Sequence, residues 1–293
     1  MSKHPLAEVF GFSVNNLSPK AERYRRNRLC PFNNKVPSCT KDKANDPLGV
    51  CSIFDGDDPV ITCPIRFRED WVIAEDASAF FFAAQTRWTS LTEVPLNDKL
   101  GRRAGNIDLV LVVYDEQGRV RDFGSLEVQA VYISGNVRQP FEYYMADPPN
   151  RADMDWTRRQ YSPRPDYLSS SRKRLAPQLI YKGGILKAWG KKQAVVLQRA
   201  FFRTLPALQE VEPDEADMVW LLYDLVLDSA EHCYRLTRYQ AVFTRFQPAL
   251  QKITTPEVGS VEEFIERLQG RLDEKLENGY PPDAPTLADM IGF

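Results

Sequence analysis

Two groups of side chains in this chain could do chemistry. Cys30, Cys39, Cys51 and Cys63 fall within 34 residues, spaced C-x8-C-x11-C-x11-C, with no histidine in the segment. Asp108, Glu127 and Gln129 follow. Four thiolates can close a tetrahedral site round zinc or iron, and such a site contributes folding free energy to a segment with little core of its own. The spacing is not the paired CxxC…CxxC form, and the alternative is four unrelated free thiols. Cys233 stands alone and reads as a small core residue.

Asp108 is the one charged residue in an otherwise apolar run, and Glu127 is alone among Leu126, Val128, Ala130 and Val131. A lone carboxylate on a buried strand is costly unless it is paired or bound to a metal. Carboxylates that hold a hard divalent cation can direct its charge at a phosphodiester and activate a water. The alternative is a set of ordinary strand-edge acids. With only His4 and His232 in the chain, the sequence speaks against a histidine-based triad or a histidine-rich zinc hydrolase site, and each histidine reads as structural or surface. The glycines and lysines of residues 184–191 do not have the spacing of a phosphate-binding loop.

The acids need a scaffold. Residues 107–114 form an almost unbroken apolar strand, residues 115–118 (Asp-Glu-Gln-Gly) supply a turn, and residues 123–133 return. A turn centred between Gln117 and Gly118 sets Asp108 opposite Glu127, with Cβ atoms about 5 Å apart. Glu127 and Gln129 share a face by two-residue alternation. Before the hairpin, Trp71, Ala74, Ala77, Phe80 and Phe81 recur at helical spacing over residues 70–88. After it, residues 136–165 are polar and proline-rich and read as a long loop. A helix over 174–188, a strand at 194–197, a strand pair at 218–228 and 234–246, and a final helix capped by Ser260 with Glu263 complete the reading. This is an α/β chain with a mixed sheet flanked by helices. Residues 1–70 read as a loop-rich four-cysteine module and residues 71–293 as the domain that carries the acids.

At 293 residues the chain can bury a sizeable core. Its net charge of −2 does not mark a nucleic-acid binder, but basic side chains cluster locally. Arg25, Arg26, Arg28, Lys35 and Lys41, with Asn33 and Asn34, surround the first two cysteines and could meet phosphates and base edges. A solvated surface is the plainer reading of any one cluster. No run is long and apolar enough to span a bilayer, and the N-terminus lacks the pattern of a signal peptide. Together with the cysteine usage, this gives an expected cytoplasmic location and no membrane partner.

The hairpin resembles the core of PD-(D/E)XK nucleases, with Gln129 in place of the usual lysine. The stretch from His4 to Arg68, with Leu-Cys-Pro-Phe-Asn-Asn at 29–34 and Asp-Pro-Leu-Gly-Val-Cys at 46–51, resembles the NotI family of restriction endonucleases. The resemblance implies a PD-(D/E)XK fold in its ExQ form and a type II, site-specific endonuclease that makes magnesium-dependent double-strand cuts in DNA. It implies Asp108 and Glu127 as magnesium ligands, with Gln129 in the third place and Glu93 a further acidic position. Cys30, Cys39, Cys51 and Cys63 would then hold structural iron, zinc being the other metal that the residues allow. A palindromic target would imply a homodimer. The readings set against this are a non-catalytic DNA-binding protein stabilised by the same cysteine site, and a repair nuclease of low specificity.

Overall fold

The first apolar run, Leu6–Val9, is strand β1, and it turns back at once into β2 (Phe12–Ser13). Phe10 and Gly11 make that two-residue turn, both at positive φ, which is the hairpin geometry that matches strand twist. Helix α1 (Pro19–Arg26) starts at Ser18, whose hydroxyl accepts from the Ala21 N–H. The short pair β3 (Asp42–Lys43) and β4 (Asp46–Pro47) leads to β5 (Val50–Asp55) and β6 (Asp58–Ile61). The order β2-β1-β5-β6 is antiparallel throughout. The segment expected to be loop-rich therefore carries a four-stranded sheet. Its strands are short, and β1 is buried on both faces, so no polar–apolar alternation announces it. The computed structural model describes residues 3–43, 45–280 and 283. The chain divides into two compact units, Met1–Thr254 and Thr255–Phe293.

A 3₁₀ turn over Pro64–Trp71 leads into α2 (Val72–Phe81). The helix expected over 70–88 stops at Phe81, because the chain next enters strand β7 (Trp88–Asn97). Strands β8 (Arg103–Tyr114) and β9 (Val120–Val128) are the expected hairpin. Asp115 Oδ1 accepts from the N–H groups of Gln117 and Arg119 and fixes its turn. The chain then leaves the sheet: β10 (Tyr132–Ser134) pairs with β11 (Arg164–Asp166). Between them lie α3 (Arg138–Ala146) and α4 (Pro148–Arg151), where a loop was expected. Pro140 sits in the first turn of α3, where a missing N–H costs nothing, while Phe141 and Tyr144 point into the core. They join Leu6, Phe10, Val50 and Ile53, so the excursion packs on the N-terminal sheet.

Residues 167–188 form one continuous helical path. It runs through α5 (Tyr167–Ser170), a π turn (Ser171–Leu175), α6 (Ala176–Gln178), a second π turn (Leu179–Gly183) and α7 (Gly184–Ala188). Strand β12 (Gln193–Gln198) then enters the large sheet parallel to β9. After α8 (Arg199–Phe202), the strands β13 (Met218–Asp228) and β14 (Cys233–Thr244) form the expected long hairpin, and α9 (Phe246–Thr254) follows. The order β14-β13-β12-β9-β8-β7 is a six-stranded mixed sheet. Ile73, Ala77 and Phe81 of α2 cover one face against Leu109, Leu126 and Val196. Leu175, Leu179 and Phe246 cover the other against Val195, Leu197 and Trp220. The second unit contains α10 (Val261–Asn278), capped by Ser260 as expected and ended by Gly279 at positive φ.

A buried ion network joins the small sheet to the large one. The Arg66 guanidinium, fully buried, donates to Glu8 at 3.0 Å, to Glu69 at 2.8 Å and to the Tyr234 carbonyl at 2.9 Å. Its face lies over the Phe32 ring, 4.3 Å from the centroid. Arg66→Met leaves the buried Glu8 carboxylate without its cation and Glu69 with Arg235 alone, and is expected to destabilise the fold by about 3–5 kcal/mol. Urea denaturation of the variant beside the wild type measures this.

Candidate active site

Strand pairing brings three acids into one row. β7 pairs with β8 through Thr92↔Leu109 and Val94↔Ile107, which sets Glu93 opposite Asp108. β8 pairs with β9 through Leu109↔Leu126, and the same register one residue on sets Asp108 opposite Glu127. The row continues to Val195 of β12. Glu93, Asp108 and Glu127 thus lie across three neighbouring strands. Glu93 is no helix residue: it sits in β7 at φ 56°, a conformation that is uncommon outside glycine and recurs at functional sites. A small pocket lined by Pro64, Arg68, Trp71, Glu93 and Asp108 opens beside the row. Arg68 approaches Glu93 at 4.0 Å.

The electrostatics of the row are unusual. The Asp108 carboxylate accepts from the Val128 N–H at 2.8 Å, yet burial raises its pKa above the ordinary value, and the Glu93 charge adds to that. Burial and then the Asp108 charge push Glu127 up to about 8, against the opposing pull of Lys182. The two carboxyls lie within hydrogen-bonding reach of each other, like charges that cannot both ionise freely. Glu127 Oε2 accepts from Lys182 Nζ at 2.5 Å, while Oε1 is buried and receives no hydrogen bond. An orphaned buried carboxylate oxygen beside a second acid calls for a proton or a cation, so the pair suits a hard divalent ion. Gln129 continues the pairing through its N–H to the Val196 carbonyl, and its side-chain amide donates to the Ala130 carbonyl at 2.7 Å.

In the sequence Lys182 reads only as one of a basic cluster with Lys187, Lys191 and Lys192, a polyanion-facing or solvated surface, and not as a partner of the acids. It comes from the second π turn, and its Nζ also donates to the Asn106 carbonyl at 2.7 Å. A signal was present. Leu175, Leu179, Lys182 and Leu186 follow helical spacing and all four are buried, so a lone lysine interrupts an apolar stripe.

The cysteines are also drawn together. Cys30 and Cys39 flank a turn closed by the pairing Leu29↔Ser38, Cys51 lies in β5, and Cys63 precedes the 3₁₀ turn. All are free thiols. Burial pushes the Cys30 thiol up to about 11 and raises Cys39 and Cys51, and the thiols reinforce one another: Cys63 acts on each of these three, and Cys30 on Cys51. Backbone N–H groups of Phe32 and Asn33 point at the Cys30 sulfur, and that of Lys41 at Cys39. Among the described residues, however, no three His, Cys, Asp or Glu side chains form a ready metal-ligand set.

The basic side chains divide into two kinds. Arg25 is buried, and its guanidinium is locked at 2.7 Å onto the carbonyls of both Asn16 and Ser13. Lys41 Nζ caps the carbonyls of Val50 and Thr62. Both brace the N-terminal sheet and are not placed to meet a phosphate, which corrects the expectation for these two. Arg26, Arg28, Asn34 and Lys35 are exposed and Asn33 is half-buried; Arg28 pairs with Asp46 and Arg26 with Glu22. His4 is buried and accepts from the Leu6 N–H, a structural role.

The family model of restriction endonuclease NotI matches residues 9–236, most of the chain. The chain belongs to the NotI restriction endonuclease family. No curated protein matches it. The match spans the four cysteines, the acid row and Lys182. A NotI-family enzyme is a site-specific endodeoxyribonuclease acting on double-stranded DNA, and its chemistry calls for a divalent metal cofactor. Among the described residues, no helix of this NotI-family protein is long and apolar enough to cross a membrane.

Proposed function

We propose that this NotI-family enzyme makes magnesium-dependent double-strand cuts at one DNA sequence, through a PD-(D/E)XK centre of the ExQ form. The register that aligns Glu93, Asp108 and Glu127 across three strands carries the reading. Asp108 and Glu127 are the magnesium ligands, and the orphaned Glu127 Oε1 supports the assignment. Bound magnesium supplies positive charge at the scissile phosphate and lowers the pKa of a water. Glu93 assists at the same position, directly or through water. Gln129, two residues beyond Glu127, orients the attacking water by its side-chain carbonyl. The pocket beside Arg68 and Glu93 offers the open side from which a phosphate approaches.

Residues 1–70 act as a DNA-contacting module and residues 71–293 as the nuclease domain, a functional division that falls inside one compact unit. Cys30, Cys39, Cys51 and Cys63 hold structural iron, as the family resemblance implies, or zinc. Burial and neighbouring sulfurs oppose an uncompensated thiolate at Cys30, Cys39 and Cys51, and the backbone N–H groups aimed at the Cys30 and Cys39 sulfurs favour one, which suits a bound cation. Arg26, Arg28, Asn33, Asn34 and Lys35 meet the DNA. The enzyme works in the cytoplasm as a homodimer, so that two centres address two strands of a palindromic site.

The proton on Glu127 gives a test. Below about 8, a proton competes with magnesium for that carboxylate; above it, the competition ends. At limiting magnesium the cleavage rate is therefore expected to rise with pH, by up to about tenfold per unit, and to level off near pH 8. Saturating magnesium should shift the rise to lower pH. Single-turnover rates across a pH and magnesium grid measure this, and a rate independent of added magnesium at every pH would contradict the assignment.

A further inference from the structure

The proposed centre leaves one built-in group without a role. Lys182 is 4% exposed, lies on the apolar stripe of its helix, and puts a full ammonium charge against an acid pair. Burying a lysine is costly, and three features of the chain are shaped to permit it. The π turn over Leu179–Gly183 inserts an extra residue into the helix where Lys182 projects, and π turns concentrate at functional sites. Gly105, at φ 140°, leaves room for the lysine stem; a Cβ there would stand 3.2 Å from Lys182 Cδ. The Asn106 carbonyl then receives the second ammonium hydrogen. A lysine needed only for packing would call for none of these, since leucine fills the neighbouring positions of the stripe.

We propose that Lys182 is a catalytic cation of the cleavage centre, which balances the Asp108–Glu127 pair in the resting enzyme and turns to the scissile phosphate when the acid pair is loaded. The inference rests on the nuclease reading of the acid row. The acid pair has room for two charges of opposite sign. Lys182 supplies one of them at rest, and a divalent ion supplies both when bound. The ammonium is then released from Glu127 Oε2 while its stem stays anchored in the π turn. From there Nζ can reach the phosphate oxygens, where negative charge grows in the transition state.

Two variants of the full chain, Lys182→Met and Lys182→Arg, compared with the wild type, decide it. Each is checked by thermal melting, by Mn2+ binding in calorimetry, and by kcat and KM on a plasmid bearing a mapped target. Lys182→Met is expected to lose about 100-fold in kcat with KM within about threefold of wild type. It is expected to bind Mn2+ more tightly, because the competitor for Glu127 is gone. Lys182→Arg, which retains a cation, is expected to keep kcat within about tenfold of wild type. Wild-type kcat in Lys182→Met would overturn the proposal. So would equal losses in the Met and Arg variants, or a tenfold weaker Mn2+ affinity in Lys182→Met, which would make the lysine a prop for Glu127. If the wild type binds Mn2+ but cleaves no DNA, the nuclease reading fails, and tighter Mn2+ binding by Lys182→Met would still support displacement of the ammonium while unchanged or weakened binding would refute it.

Discussion

Glu127→Ala is expected to lower the cleavage rate by about a thousandfold or more, with DNA binding in Ca2+ retained. Glu127 is the centre of the row: it faces Asp108 across one strand pair, carries the orphaned Oε1, and holds Lys182. Removing it takes away a proposed magnesium ligand and frees the ammonium together. The variant leaves Lys182 without its ion pair, but Nζ keeps the Asn106 carbonyl and the neighbouring Asp108 charge, and no apolar packing is lost, so the fold should survive with reduced stability. The pH dependence of stability checks the same residue independently. Folding raises the Glu127 pKa from 4.5 to about 8, so the folded state binds a proton that the unfolded state has released in that window. The stability of the metal-depleted wild type is therefore expected to fall as pH rises from about 4.5 to about 8. Glu127→Ala should flatten that slope. Denaturant titrations at three pH values measure it, and equal slopes in both proteins would mean that Glu127 is not buried beside Asp108 as described.

The second large effect belongs to the cysteines. Stripping the metal with a chelator, or replacing Cys63 with Ser, is expected to lower the melting temperature by about 10 °C or more. Cys63 acts on Cys30, Cys39 and Cys51 and stands at the head of the 3₁₀ turn that carries Arg66 and Arg68. Without a cation the buried thiols stay protonated, and a thiol donates only a weak hydrogen bond; with one they become thiolates that the N–H groups of Phe32, Asn33 and Lys41 already face. Elemental analysis should find one iron or zinc per chain in the wild type and none in Cys63→Ser. Cys233→Ser, outside the cluster, is the control and should match the wild type. Absence of metal in freshly purified wild type, with an unchanged melting temperature after chelation, would show four plain buried thiols.

Most of what positions the acids was legible in the sequence. Lone carboxylates in apolar runs marked Asp108 and Glu127, and the turn residues at 115–118 placed them opposite one another; a register shift between Val113 and Tyr114, which the sequence does not announce, lies between that turn and the acids. The long hairpin of β13 and β14 and the cap at Ser260 were legible for similar reasons, because strand length and side-chain capping are local signals. What went unread depends on distant contacts. β1 is buried by Ser52 and Arg66 at Glu8 and by a cluster at Leu6 and Val9 that draws in Phe141 and Tyr144, so its pattern resembles neither helix nor strand. Helix α3 was masked by prolines that are harmless at a helix start. Arg25 and Lys41 looked like phosphate contacts because their charge is visible in the sequence and the carbonyls that bind them are not. Lys182 was hidden for the opposite reason: among Lys187, Lys191 and Lys192 it looked like surface, and only the stripe of Leu175, Leu179 and Leu186 sets it apart.

The central claim is that the acid row cuts DNA at a specific sequence. The most direct measurement incubates unmethylated genomic DNA and Mg2+ with the wild type and, in parallel, with Glu127→Ala. Discrete fragments from the wild type with common ends, absent with the variant, are the predicted result. Fragments produced equally by a pure Glu127→Ala preparation would contradict the assignment of the row, and a continuous smear from the wild type would contradict its specificity.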